Sequence, residues 1–244
     1  MNTSRYARID HIRAAAVLSM VLYHALWDLV YLYGLHLPWY RGIPGFLWQQ
    51  SICWTFILLS GFCHSMSKNP RKAAMRVFLA GLLVSAVTWI FTPDIKISFG
   101  VLTLLGSSGL LLWVLSPALS RLSPAVGLGL GTALFALTRN VNSGYLGFWG
   151  MRILELPRAL YANWFTSFLG FPFPRFSSSD YFSLFPWFFL FLCGYCLNRL
   201  FREKECLKLL QGRDVPLMRR ISRHSLLIYL LHQPLLSVLF SLIF

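Results

Sequence analysis

Apolar runs alternate with short polar connections along this chain, at 14–33, 47–66, 76–92, 99–119, 124–138, 181–200 and 224–243. At about 1.5 Å of rise per residue, roughly 20 residues of helix cross the ~30 Å hydrocarbon core of a bilayer. The 76–92 and 124–138 runs are short for that task, so their limits are the least defined. The pattern predicts an all-α, polytopic membrane helix bundle of about seven transmembrane helices, forming one domain over 1–244. The one long connection, 139–180, holds Pro157, Pro172, Pro174 and the turn signal Ser177, Ser178, Ser179. Within it, 151–168 mixes apolar and basic residues, as a segment lying at the interface or dipping into it does. No internal repeat is visible, which weighs against a repeat-built transporter.

Polar residues inside the runs carry the candidate chemistry. Arg13 and His24 stand eleven residues apart in the first run, which returns a helix to within roughly 20° of its starting face. Asp10, Met20 and Asp28 fall near the same line, with Trp27 at its edge. An arginine at the inner surface places His24 about 16 Å deeper, near the midplane, where ionisable groups are costly and mark function by default. In the second run Ser60 and His64 share a face, and Gly61 permits close helix approach. His64 lies near the inner surface, so a solvated, snorkelling histidine is the alternative reading. In the last run Ser225, Tyr229 and His232 form one polar stripe, with Gln233 and Pro234 beside it. Interhelical hydrogen bonding accounts for the first two, while a second buried histidine favours a polar cavity. Asp180 enters from the outer side and Pro186 breaks the sixth run near its start. Trp187 lines a pocket or belongs to the interfacial aromatic belt, the commoner place for a single tryptophan.

Composition agrees with the pattern: 57% of residues are hydrophobic, 12% are charged, and the net charge is +14. The basic residues sit between apolar spans and not in a stripe on a polar domain, so nucleic acid is not the partner implied. With the N-terminus inside, the inner connections hold 16 of the 22 Lys and Arg, from Arg5, Arg8 and Arg13 to the cluster ending at Arg223. That asymmetry predicts a cytoplasmic N-terminus and an extracytoplasmic C-terminus. Arg71, Lys72, Arg76, Arg219, Arg220 and Arg223 crowd the openings of the third and last spans. Topology explains them first and anionic lipid second, yet a basic mouth also suits a phosphorylated cytosolic donor. The leading apolar stretch reads as a retained span and not a signal peptide, because it carries His24 and Asp28 and lacks a small-residue cleavage site. Of the five cysteines, Cys193 and Cys196 have redox or zinc spacing but lie inside an apolar run without a second ligand pair. A packing role is expected, with no metal and no disulfide framework.

Five motifs in order, R-I-D-H-I-R…M-V-L-Y-H…D, F-I-L-L-S-G-F, F-G-V-L-T-L-L-G, D-Y-F-S-L-F-P-W…G-Y and S-R-H-S-L-L-I-Y-L-L-H-Q-P, run along nearly the whole chain. Together they resemble bacterial relatives of the heparan-alpha-glucosaminide N-acetyltransferase catalytic domain, within the wider transmembrane acyltransferase superfamily. The arginine, ten residues, histidine arrangement is also shared with the acyltransferase-3 group. Ala14 departs from the family's usual glycine after the arginine. The chain is shorter than the lysosomal enzyme and has no large outer domain, so heparan itself is not implied.

The resemblance implies a multi-pass acetyltransferase of the bacterial cytoplasmic membrane. Acetyl-coenzyme A is the expected donor from the cytoplasm, and a sugar hydroxyl or amine, on a glycan or amino sugar, the expected acceptor from outside. His24, Asp28 and Asp10 are the expected catalytic residues. His24 acts either as general base on the acceptor or as a covalent acetyl carrier. Asp28 orients the imidazole or meets the acceptor, and Asp10 pairs with Arg13. Donor binding falls to Arg13, Ser60, His64, Arg71, Lys72, Arg76, Arg223, Ser225, Tyr229 and His232. Acceptor binding falls to Asp180 and Trp187. Membrane lipids are further partners, and the reading admits a homodimer. The rival class is a transporter or flippase, whose expected discontinuous helices or inverted halves the sequence does not display.

Overall fold

The computed structural model describes residues 6–148 and 150–244, so Arg5 lies outside the described residues. Ten helices are described: α1 (Ala7–Tyr31), α2 (Pro38–Arg41), α3 (Ile43–His64), α4 (Pro70–Phe91), α5 (Val101–Leu119), α6 (Pro124–Thr138), α7 (Trp164–Leu169), α8 (Leu184–Glu203), α9 (Pro216–Arg223) and α10 (Ser225–Ile243). Six of them, α1, α3, α4, α5, α8 and α10, are long and apolar enough to cross a membrane. The fold is therefore an all-α polytopic bundle. The segment expected at 124–138 forms α6, whose 15 residues leave it below that length.

Local signals fix the helix starts. Asn69 accepts a hydrogen bond from Lys72 N and Pro70 opens α4, so this helix begins six residues before the expected boundary and is no longer short. Ser123 and Pro124 repeat the device at α6, with Ser123 Oγ accepting from Val126 N. Near the start of α8, Phe185 leaves helical dihedrals (φ −96°, ψ 135°) just before Pro186. This agrees with the restriction that proline places on its predecessor.

The connection 139–180 departs most from expectation. It contains an antiparallel hairpin, β1 (Tyr145–Phe148) with β2 (Met151–Glu155), and then α7. A register irregularity falls between Leu146 and Gly147. Gly144 and Gly150 adopt φ of 93° and 90°, a region that side chains with a Cβ rarely enter. Asn163 and Thr166 close a reciprocal capping box that starts α7.

Contacts divide the chain into two compact units: Met1–Leu59 with Phe201–Phe244, and Ser60–Leu200. In the first unit α1 lies along α9 and α10. The pairs Asp10 with Ser222, His24 with His232, Asp28 with Gln233 and Tyr33 with Phe240 advance together, so α1 and α10 run parallel. Trp48 Nε1 donates to Ser19 Oγ at 2.8 Å, and the Tyr40 hydroxyl to the Tyr23 carbonyl at 2.9 Å, tying α3 and α2 to α1.

In the second unit α4 and α5 are antiparallel. Gly106 faces the Phe78 backbone, and Gly109 faces Ala74. Helices α6 and α8 are also antiparallel, with Gly127 against Cys196, Gly131 against Cys193 and Phe135 against Trp187. Glycines spaced by four let helix backbones approach closely in an apolar environment, where packing drives association in place of the hydrophobic effect. The two cysteine sulfurs thus fill the groove that Gly127 and Gly131 open.

Candidate active site

Two groups of candidate residues emerge, one in each unit. In the first unit, α1 carries Asp10, Arg13, His24 and Asp28, while α9 and α10 carry Arg223, Ser225, Tyr229, His232 and Gln233. The His24 and His232 rings meet with centroids 4.9 Å apart, at 57° between planes. His232 Nδ1 lies 2.6 Å from the Tyr229 carbonyl oxygen. A carbonyl only accepts, so Nδ1 carries the proton and, in the neutral ring, Nε2 keeps a lone pair. Pro234 follows closely and offers no N–H to the Leu230 carbonyl, which loosens the helix ladder beside the site.

One turn beyond His24, Asp28 is 1% exposed and accepts a 2.7 Å hydrogen bond from Gln233 Nε2. Three buried atoms around it have no hydrogen-bond partner: Asp28 Oδ2, Gln233 Oε1 and His232 Nε2. Uncompensated burial of such groups costs free energy, roughly 1–3 kcal/mol each for neutral groups and more for a charge. Native proteins retain such groups at sites that a ligand completes.

At the other end of α1, Asp10 is buried and accepts a 2.6 Å hydrogen bond from Ser222 Oγ. Ala14, the departure from the family's glycine, is fully buried. Arg13 is half-buried and Arg223 exposed.

In the second unit His64 is half-buried, its ring edge-on to Phe191 at 6.0 Å and beside Gly109. The helix approach expected at Gly61 is realised against Phe191, where a Cβ would sit 1.9 Å from the carbonyl oxygen. The neighbouring Ser65 Oγ donates to Asn198 Oδ1 at 2.8 Å. Arg71, Lys72 and Arg76 are exposed and line an open cavity of about 290 Å³ with Asn69, Met75 and Leu79. The Arg71 guanidinium lies 5.1 Å from the centre of the Trp113 ring. That surface offers three cations at a helix N-terminus, a setting suited to phosphate oxygens.

Asp180 has a structural task that the sequence did not disclose. Its Oδ2 accepts from Val101 N at 3.2 Å, at the start of α5, in a loop pairing where Phe182 N also donates to Phe99 O. Trp187 corrects the expectation of an interfacial belt. It is 5% exposed and packs against Phe135 and Phe182, with the Arg139 guanidinium 4.8 Å from its ring centre. A belt tryptophan faces headgroups, whereas this one is an interior residue that shields a cation. Sequence reasoning missed Gln233 as a site residue. Its signal was present, since an amide beside a buried histidine in an apolar run is itself expensive.

No curated protein and no solved structure matches the chain. One family model does, over residues 5–234, and it carries the description heparan-alpha-glucosaminide N-acetyltransferase, catalytic. With nearly the whole length matched, the chain belongs to the heparan-alpha-glucosaminide N-acetyltransferase catalytic family, a family of transmembrane acyltransferases.

Proposed function

We propose that the protein transfers an acetyl group from cytosolic acetyl-coenzyme A to an extracytoplasmic acceptor bearing a sugar hydroxyl or amine. The observation that carries the reading is the meeting of His24 and His232 beside buried Asp28 on the seam of α1 and α10. Family membership supports the reaction class.

In this reading His24 takes a proton from the acceptor O–H or N–H. The freed lone pair attacks the thioester carbonyl carbon, the C–S bond breaks, and the coenzyme A thiolate leaves and recovers a proton. General base catalysis of this kind contributes about 10²–10⁴-fold. Asp28 and Asp10 complete the catalytic set, Asp28 at the acceptor and Asp10 holding the end of α1 through Ser222. Arg13, Arg71, Lys72, Arg76 and Arg223 serve the donor phosphates. Ser60, His64, Ser225, Tyr229 and His232 serve the pantetheine arm and thioester. Asp180 and Trp187 shape the acceptor side, acting through the loop and interior they hold. The charge asymmetry supports a cytoplasmic start of α1 and an extracytoplasmic end of α10.

The test uses purified protein in nanodiscs with acetyl-coenzyme A and a panel of amino sugars and glycan precursors, reading free thiol release. Acceptor-dependent release that is lost in His24→Ala, with donor affinity by calorimetry kept within about threefold, is the expected result. Absence of both donor binding and thiol release overturns the reading and leaves transport. For sidedness, an impermeant thiol reagent should label cysteine introduced at Ser178, but not at Ser67, in intact cells. The opposite pattern inverts the orientation.

A further inference from the structure

The pairing of Asp28 with Gln233 has a polarity that bears on which acceptors the site admits. An ionised carboxylate only accepts hydrogen bonds, so the Gln233 amide is oriented with its NH₂ on Asp28 Oδ1, as observed at 2.7 Å. That single contact turns the amide oxygen away from the carboxylate. It leaves Asp28 Oδ2 and Gln233 Oε1 as partnerless buried oxygens on the two members of one hydrogen-bonded pair. On the preceding residue of α10, His232 commits Nδ1 to the Tyr229 carbonyl and likewise leaves Nε2 without a partner. All three unpartnered atoms are therefore acceptors, and none has a hydrogen-bond partner. Asp28 is 1% exposed and His232 8%, so bulk water does not satisfy them freely.

We infer that Gln233 is a positioning residue that fixes Asp28 and, with it, forms a two-oxygen fork selecting acceptors that arrive carrying hydrogen-bond donors. The inference rests on the acetyl-transfer reading above. A primary amine or a hydroxyl brings N–H or O–H groups that satisfy the fork, while the acetylated product has lost one of those hydrogens. The fork thus holds substrate more tightly than product, and it turns the reacting heteroatom so that its lone pair points away from Asp28. A site built to hydrogen-bond a group discriminates strongly against analogues that lack it, because its own buried atoms are then left unpaired.

The test uses the full protein in nanodiscs with hydroxylamine as the probe acceptor, a small nucleophile with both N–H and O–H, and reads acetohydroxamate after background subtraction. Two variants are compared with wild type. Gln233→Met keeps the volume and removes both the positioning donor and the free oxygen. Asp28→Asn keeps the shape and the Gln233 contact but places an NH₂ where Oδ2 stood. The expected result is a rise in the hydroxylamine KM of about tenfold in Gln233→Met and more in Asp28→Asn, with acetyl-coenzyme A affinity by calorimetry within about twofold. The melting temperature should stay within about 3 °C of wild type in Asp28→Asn, which controls for a packing defect in Gln233→Met.

An unchanged hydroxylamine KM in Asp28→Asn overturns the fork, whatever Gln233→Met does. Donor and acceptor constants that shift together, along with a lower melting temperature in both variants, overturn it in favour of a purely structural hydrogen bond. Wild-type protein that neither binds acetyl-coenzyme A nor forms hydroxamate overturns the acetyl-transfer reading itself, and the fork with it, which separates that failure from the other two.

Discussion

The seam between α1 and α10 and the seam between α6 and α8 join helices of similar hydrophobicity by opposite means. Along α6 and α8 the contact is made by absence: Gly127 and Gly131 supply no side chain, and the Cys196 and Cys193 sulfurs lie 2.7 and 2.9 Å from where their Cβ atoms would be. Along α1 and α10 the contact is made by Asp28, Gln233, His24 and His232, and it ends with acceptor atoms unpaired. A glycine seam has only shape to lose when it is mutated. On the acetyl-transfer reading proposed above, a polar seam has function to lose while its shape is kept. The two should therefore fail differently, one in stability and the other in rate.

The largest expected effect is on rate. His24→Ala should lower turnover by about 10²–10⁴-fold while thermal unfolding in detergent changes little. Near wild-type turnover would reduce the His24 and His232 pair to packing. Next comes the opposite failure. Gly61→Ala forces a methyl towards the Phe191 carbonyl oxygen, and overpacking of this kind costs about 1–3 kcal/mol or more. A lowered melting temperature with normal turnover per folded molecule is the expected pattern; an unchanged melting temperature would show that the helices separate freely.

A smaller effect belongs to the buried end of the polar seam. Ser222→Ala removes one hydrogen bond to the buried Asp10 carboxyl and should cost about 0.5–1.5 kcal/mol, read by denaturant titration. Of similar size is Arg139→Gln, which removes the cation from the Trp187 ring and should cost about 0.5–2 kcal/mol by the same measurement.

The slightest effect is on pH dependence. Burial lifts the Tyr161 phenol above its usual value of 10.0, and its hydroxyl donates to the Val141 carbonyl. The fold therefore favours the protonated phenol. Its contribution is fully present below about pH 10 and is lost as pH rises through the raised value. Between pH 8 and 11 the melting temperature should fall less with rising pH in Tyr161→Phe than in wild type.

Much of this architecture was legible because lipid demands long apolar runs, and the expected segments fall on α1, α3, α4, α5, α6, α8 and α10. The pairing of those helices was not legible. Apart from the polar lines of α1 and α10, the helices are apolar nearly all round, so no stripe marks the face that meets a neighbour, and only isolated signals such as Gly61 or the Gly127 and Gly131 spacing point to a contact. The hairpin of β1 and β2 was hidden for another reason. Strands of four and five residues containing Gly147 offer too little alternation to register, and only Gly144 and Gly150 marked the turns. For the site, His24 and Asp28 stood out as charges in an apolar run. The tie of Asp180 to Val101 was not legible, because it reaches 79 residues back to a backbone N–H, which carries no sequence signature.

The parallel course of α1 and α10 has a consequence for parity. Each membrane crossing reverses the direction of the chain, so two spanning helices that point the same way have an odd number of crossings between them. Four intervening helices, α3, α4, α5 and α8, are long enough to cross unaided. A fifth crossing would fall to α6, whose 15 residues reach only about 22 Å. A span that short is accommodated by local thinning of the bilayer or by shelter from a longer neighbour. Gly127 and Gly131 press α6 against the 20-residue α8, which supplies that shelter.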